Sequence, residues 1–577
     1  MKEIAKYLKP YSKMLVLVVV FVFGRSLTDL YLPALMSRIV DVGIVQNDLG
    51  YILKVGSVMI AMTLLNGGFA VGLSYFSSKV AMGFGRNLRK AVFTKVENLS
   101  VSEFNDLGTS SLITRTTNDI TQLQQLVLMG QRMMLVAPMM FLGSIIMAVS
   151  QDAVLSLVIV FAVPALALLV YFIGKKATPL FQSLQKKLDG LNLVLRESLT
   201  GIRVIRAFNK EEYEKKRFNA ANLDLTETAL KVHKTMAYLM PLMTLLLNFG
   251  TIAVIWFGAI RVDSGQMQVG QLMAFVQYIM HIMFSLMMVS MIFVMIPRAA
   301  ASVERVSEVL TKEQKLTDPE TPKKPASSPG SLEFRNVTFS YPGAENTALS
   351  NVSFTAEPGE TVAIIGGTGS GKSTLLNLIM RFYDLEEGSG AILVGGVDIR
   401  EMNQKDLRDL IGFVSQKPVL FSGTVRDNIT YGNESASDEE VLKALEIAQA
   451  KDFVLGLPEG LEAVVAQGGT NFSGGQKQRL SIARALVRRP AIYIFDDSFS
   501  ALDFKTDAQL RAALRRETQD ATKLIVAQRV STVLDADKII VLDQGRVVGI
   551  GRHKELLKTS PVYREIVASQ LSEEELA

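Results

Sequence analysis

The chain has 577 residues, of which 49% are apolar and 20% charged, and its mean hydropathy is +0.27. A water-soluble globule of this size rarely averages above zero, so a membrane protein with a sizeable soluble part is expected, while the absence of cysteine excludes a disulfide framework, a thiolate zinc site and a cysteine nucleophile. The net charge of +5 is too small to argue for nucleic acid, because positive membrane flanks give the same sign.

Six apolar stretches near the ~20 residues needed to cross a bilayer occupy about 14–36, 53–76, 129–149, 153–174, 236–261 and 271–296. The first is not a cleavable leader, because it holds Arg25 and Asp29 and lacks a small-residue cleavage site. Connections 37–51, 150–152 and 262–270 are short and nearly free of Lys and Arg. By contrast, 77–128 and 175–235 are long and polar, and the second holds thirteen Lys or Arg against seven acids. The positive-inside rule then places the N-terminus, both long connections and everything after 297 in the cytoplasm, with the spans in the cytoplasmic membrane. Leu184, Leu188, Leu191, Leu195 and Leu199 recur at helical spacing, so the membrane helices are expected to run on into the cytoplasm. A separate small helical domain at each connection is the alternative.

Within the spans, Arg25 and Asp29 sit i, i+4 and can pair on one helix face. The sixth span carries Met273, Met280, Met283, Met287, Met288, Met291 and Met295. Flexible thioethers suit a wall that accepts varied apolar shapes, or plain core filler. His281, beside Gln277 and Tyr278, reads as a satisfied interior polar group rather than a proton relay.

Residues 311–330 hold Pro319, Pro322, Pro325 and Pro329 without an apolar period, the signature of a semi-rigid linker. After it, short β-branched strands alternate with helical segments, so 331–577 reads as one α/β domain with a mainly parallel sheet. The expected fold is thus a six-helix transmembrane domain over 1–310, a linker, and an α/β nucleotide-binding domain.

The strand expected at 361–365 runs into Gly366, Gly367, Thr368, Gly369, Ser370, Gly371, Lys372 and Ser373, followed by a helix from Thr374. This is a phosphate loop in its required strand–loop–helix context. The glycines let backbone N–H groups close around phosphates, and the helix N-terminus adds its dipole. Lys372 would reach the β- and γ-phosphates and Ser373 would bind Mg²⁺. The apolar strand Ile492, Tyr493, Ile494, Phe495 ends in Asp496, the natural partner of Mg²⁺ at a strand's carboxyl end.

Between these lie Phe472, Ser473, Gly474, Gly475 and Gln476, which resemble the LSGGQ signature of ATP-binding-cassette (ABC) proteins. Tyr341 looks like that family's adenine-stacking aromatic, Gln416 like its Q-loop glutamine (and a Mg²⁺ ligand beside Ser373 and Asp496), and Ser500 to Asp503 like its D-loop. Thr200 to Phe208 resembles its second intracellular loop. Six spans before one such domain is similar to the half-transporter layout of ABC exporters. The resemblance implies ATP and Mg²⁺ as cofactors. It also implies two cassettes closing head to tail, so that Ser473, Gly474, Gly475 and Gln476 act on the partner's ATP.

The chain departs from the pattern at three places. Asp497 stands where the family usually has the catalytic Glu, Gln528 where it has the switch His, and Gln467 where it has an acidic residue ahead of the signature. Asp497 and Gln528 belong to the same side of one ATP site, while the signature is intact. That combination resembles the degenerate-site subunit of a heterodimeric exporter. The reading is an ATPase subunit that pairs with a second half-transporter in the lipid bilayer, moves small amphipathic or apolar compounds outward and takes no nucleic-acid partner. The alternatives are a homodimeric lipid or peptide exporter with two slow sites, a soluble ABC ATPase acting on nucleic acid or ribosomes, and a regulatory nucleotide sensor.

Overall fold

The computed structural model describes residues 2–325 and 328–570, with side chains for all of these except residues 2 and 290–298. Met291 and Met295 therefore lie outside the described side chains, and residues 326–327 of the linker and the tail 571–577 lie outside the described residues. By contacts the chain divides into two units, residues 1–97 with 109–312, and residues 98–108 with 313–577.

The first unit is built from long helices. Among the described residues, six helices are apolar and long enough to cross a membrane. The second, Leu49–Glu97, has 49 residues; at ~1.5 Å per residue it runs about 74 Å, more than twice the ~30 Å of a bilayer's hydrocarbon. The excess is polar, and Thr109–Gln151, Leu157–Thr200 and Glu211–Asp263 overrun in the same way. Helical continuity through Leu184–Leu199 agrees with the leucine spacing and disfavours a separate domain there. Pro33, Pro138, Pro164 and Pro179 all sit inside helices, which is tolerated where neighbouring helices and polar side chains restore the lost bond. Val20, Leu64, Phe161 and Trp256 face outward, as surfaces meeting lipid rather than water must.

Beyond the apolar stretches, charge replaces oil as the adhesive. A π-type turn at Arg115–Asp119 carries two buried ions. Arg115 Nη1 pairs with Glu308 at 2.7 Å, while Asp119 pairs with Arg305 and accepts from Ser302 Oγ at 2.9 Å. Helices 157–200 and 211–237 are joined by Lys187–Asp224 and Arg217–Glu197. Inside the apolar part, Asn66 Nδ2 donates to Asp29 Oδ1 at 2.7 Å, and the expected Arg25–Asp29 pair is a loose 3.8 Å. Tyr278 Oη, fully buried, donates to the Leu30 carbonyl at 3.0 Å. Met283 is buried, whereas Met273 and Met280 are exposed.

The second unit centres on a six-stranded sheet ordered 546–551, 538–543, 361–366, 522–526, 492–496, 411–414. It is parallel except for its antiparallel edge, 546–551. Both faces are covered, so its strands read as unbroken apolar runs. Ala363 and Ile365 pack on one side and Val362 and Ile364 on the other. An antiparallel sheet, ordered 349–356, 332–339, 391–394, 397–398, completes the unit.

The short helix Val101–Leu107 belongs to this second unit, although long membrane helices lie on both sides of it in sequence. Its N-terminus is a capping box between Ser100 and Glu103. Glu103 is 1% exposed; its Oε2 accepts from the Ser100 amide at 2.9 Å and its Oε1 from the Lys315 amide at 2.8 Å. One carboxylate thus fastens the loop to the chain leading into the α/β domain. Replacing Glu103 by Ala leaves both amides unanswered, an expected local cost of about 1–2 kcal/mol. Hydrogen exchange at 98–108 and 313–318 should then accelerate roughly 5- to 30-fold, with exchange in strand 361–366 unchanged.

Candidate functional site

Four parallel strands side by side, 361–366, 522–526, 492–496 and 411–414, end level with one another: Val526 is opposite both Ile364 and Asp496, and Phe495 is opposite Val414. The loops that leave their carboxyl ends carry, respectively, the phosphate loop, Gln528, Asp496 with Asp497, and Gln416. Residues separated by up to 162 positions in sequence are thereby gathered on one edge of the sheet, where open α/β folds bind ligands.

The phosphate loop holds its shape through Lys372. Its ammonium donates to the carbonyls of Gly366 and Gly367 at 2.8 and 2.7 Å and approaches Ser370 Oγ at 3.4 Å. Gly371 has φ +99°, and a Cβ there would stand 2.9 Å from the Ala348 carbonyl, so a side chain fails on both counts. Gly367, Thr368, Gly369 and Ser373 face outward. Ser370 is buried, and its carbonyl accepts from Gly545 N at 3.2 Å. Thr374 is also buried, and its hydroxyl accepts from Tyr341 Oη at 3.0 Å. Thr374, counted with the loop among the expected nucleotide-binding residues, thus anchors the aromatic. The Tyr341 ring is further braced edge-on by Phe339 and by Tyr383, each with centroids 5.1 Å away.

Asp496 and Asp497 share the floor. Burial, reinforced by the charge of Asp497, raises the Asp496 carboxyl above its ordinary range, and Lys372 opposes the rise. Burial lowers the Lys372 ammonium, opposed by both aspartates. The three groups form one charge system that a polyphosphate with a divalent cation would complete. Asp497 is 8% exposed with φ +46°, a left-handed position that Asp tolerates better than most residues. Gln416 Nε2 donates to Asp497 Oδ2 at 3.2 Å. That bond leaves the Gln416 carbonyl oxygen free, so Ser373, Gln416 and Asp496 offer the sparse oxygen set that Mg²⁺ takes when phosphate and water supply the rest. The donor chemistry fits. Among the described residues no cluster of three His, Cys, Asp or Glu could hold a metal unaided.

Gln528 is exposed and its backbone is clamped from afar. Gln570 Nε2 donates to the Gln528 carbonyl and Gln570 Oε1 accepts from Val530 N, both at 2.8 Å. Arg529 Nη2 reaches the Ser500 carbonyl at 3.2 Å. Neither Gln570 nor Tyr383, whose hydroxyl bonds Asn105 on the 101–107 helix, carries a local sequence signal. Each becomes visible only once distant segments are folded together.

Of the signature, Phe472 is buried in the core while Ser473 and Gly474 face outward. Ser473 caps the helix Gly474–Leu486 in a reciprocal box with Gln476, the serine hydroxyl accepting from Gln476 N at 3.3 Å. Ser473 and Gly474 are exposed, and a Cβ added at Gly474 would meet nothing within 4 Å. Gly475 is tighter, 3.2 Å from the Ala501 carbonyl. Gln467 is exposed in the turn before the signature, where Asn471 holds Ala466 N and the Val464 carbonyl.

Residues 15–287 match the family model described as ABC transporter transmembrane region, and residues 349–500 match the one described as ABC transporter. The chain is 44% identical to an uncharacterized ABC transporter ATP-binding protein of Mycobacterium tuberculosis, over 98% of this chain and 97% of that one. It is 35% identical to a fatty acid ABC transporter ATP-binding/permease protein of Mycobacterium bovis, over 83% of this chain and 75% of that one. Among solved structures it is similar to a bacterial Atm1-family ABC exporter with ATP bound, with TM-score 0.81, 27% identity, and coverage of 97% and 99% of the two chains.

Lys372→Ala removes the cation and the two carbonyl contacts that shape the loop. At about 1.5–3 kcal/mol for a charged hydrogen bond, ATP occupancy of this loop should fall roughly 10- to 100-fold. Photo-crosslinking of an azido-ATP to this chain measures it, and unchanged labelling would remove Lys372 from the site.

Proposed function

The chain belongs to the ABC transporter family as an exporter-type half-transporter with a cytoplasmic ATPase domain, and on that premise we propose that it works as the degenerate-site half of a heterodimer. Its own phosphate loop would bind ATP without turning it over quickly, while its signature would complete the competent site of a second half-transporter. The cargo would be amphipathic or apolar compounds moved outward across the cytoplasmic membrane.

The observation that carries this reading is the contrast between the two halves of the cassette. The signature turn is capped, open and unobstructed, ready to present the Ser473 hydroxyl and the first amides of a 13-residue helix to an anion on another chain. The chain's own floor has a carboxylate one methylene too short, bonded to Gln416. A catalytic base must hold water within about 3–3.5 Å of its target, and a 1 Å error can cost ~10²-fold. Gln528 can donate a hydrogen bond but cannot titrate as His does. When bound, Mg²⁺ would neutralise phosphate charge, with Ser373, Gln416 and Asp496 as its protein oxygens. The exposed Val204 and Phe208 on the hairpin around Ile202–Ala207 are apolar surface in an aqueous compartment, which supports a second chain covering them.

The test compares two substitutions in the assembled pair. Gly474→Asp meets open space in its own chain, so damage to turnover arises in the partner's site, where it sets negative charge beside phosphate. Losing one such stabilising contact costs ~10²–10³ in rate. Asp497→Asn alters a site already slow. The expected outcome is that Gly474→Asp lowers ATP turnover at least ~10-fold more than Asp497→Asn. An equal or reversed order would favour a homodimer with two working sites.

A further inference from the structure

Several cations of the membrane unit have a carboxylate partner. Arg115, Arg261 and Arg305 each have a carboxylate, respectively Glu308, Asp152 and Asp119. Lys79 and Arg132 have none among the described residues. Helix Leu49–Glu97 carries six cations and a single acid, its last residue, and helix Ile120–Gln151 carries no acid. Lys79 Nζ lies 5.6 Å from the Tyr75 ring centroid, and Arg132 Nη2 donates to Ser74 Oγ at 2.9 Å. Arg132 thereby reaches Ser74, which with Val71, Tyr75, Ser78, Lys79 and Met82 lines a groove of about 690 Å³.

A second observation concerns groups behind that surface. Arg132 Nε is buried without a hydrogen-bond partner. Next to it in sequence, Gln131 is 8% exposed and neither atom of its amide has a partner. Ser77, one turn from Ser74, is fully buried with its hydroxyl unanswered. Unsatisfied polar groups in a membrane domain are costly and mark places where a polar ligand or water completes the set. The depth is also informative. Lys79 lies just past the end of the second apolar stretch and Arg132 in the first turn of the third, which is headgroup level in the cytoplasmic leaflet.

We propose that this groove is the loading site for a cargo amphiphile with an anionic headgroup, drawn from the inner leaflet. A carboxylate or phosphate would sit beside Lys79 and Arg132 with Ser74 and Ser78 as donors, and the chain would lie along Tyr75 and Val71 toward the membrane interior. The inference rests on the exporter reading for the word cargo, but the binding it asserts is independent of which ATP site turns over. At about tenfold for two such cations, the groove should prefer an anionic head to a neutral one of equal chain length.

The experiment uses the assembled transporter in phosphatidylcholine vesicles and three photoactivatable sixteen-carbon probes, a fatty acid, the matching alcohol and the matching amine. The fatty acid should label peptides covering residues 71–82 and 132 roughly tenfold more than the alcohol, and excess dodecyl phosphate should compete whereas inorganic phosphate should not. The paired substitution Lys79→Glu with Arg132→Glu should reverse the preference toward the amine, a gain that misfolding cannot imitate. Lys79→Gln alone, at an exposed position, should reduce the fatty-acid preference if the double variant does not assemble. Labelling indifferent to headgroup charge, or unchanged by these variants, overturns the proposal. So does labelling that ATP with vanadate leaves intact, since that would mark a resident lipid and not cargo. If labelling fails while Gly474→Asp remains the more severe ATPase variant, only the groove assignment falls; the opposite pattern removes the two-site asymmetry and leaves the groove.

Discussion

A phosphate loop can enclose a polyphosphate from one side only. Its amides and Lys372 grip the ligand from the sheet edge, and nothing in the same loop can reach the opposite face of the γ-phosphate. The remaining donors must come from another surface, and the open Ser473 cap is built to be such a surface. Most of what distinguishes this protein depends on that constraint. On the proposed reading the chain holds two half-sites that belong to different ATP molecules, so each half is free to change without the other. The carboxylate shortened at Asp497 and the imidazole absent at Gln528 fall in one half, while the signature is left whole.

The same separation appears in how the chain is divided. The helix 101–107 is contiguous with the membrane helices but packs as part of the ATPase unit, fastened through the buried Glu103 carboxylate. Tyr383 bonds Asn105 on that helix and braces Tyr341, the aromatic expected to carry adenine. An exporter needs its nucleotide state to be felt by its spans, and rigid packing is the means by which small local shifts become larger ones. Outside the lipid the long helices are held by ion pairs such as Arg115–Glu308, which survive in water because they are buried or clustered. At the cytoplasmic edge of the lipid, Lys79 and Arg132 have no carboxylate partner among the described residues, and there the proposed ligand would supply the counter-charge.

Much of this was legible in the sequence because its signals are local. Six apolar runs of bilayer length need no tertiary information, and the glycines, lysine and serine of 366–373 follow one another in a single loop. The length of the helices could be read from leucine spacing at 184–199. What could not be read was adjacency. The order of the parallel strands, which puts Gln416 beside Asp497 and Gln528 between the two acidic and phosphate-binding loops, is a property of the sheet. Thr374 could be read only as the start of the helix after the phosphate loop; that Tyr341, 33 positions earlier, uses its hydroxyl is a property of the fold. Gln570 carries no motif at all. The attachment of residues 98–108 to the ATPase unit was hidden because sequence continuity and spatial membership disagree there. Lys79 and Arg132 carry no motif, and only the bond of Arg132 to Ser74, in the groove that Lys79 lines, connects them.

The most direct test of the central claim is the identity of the nucleotide at each site during turnover. The assembled pair is given a photoreactive ATP analogue, crosslinked at steady state, and the nucleotide recovered separately from the two chains. The account expects triphosphate on this chain's phosphate loop and mainly diphosphate on its partner's. Diphosphate in equal proportion on both chains, or brisk turnover by this chain purified without a partner, would contradict it.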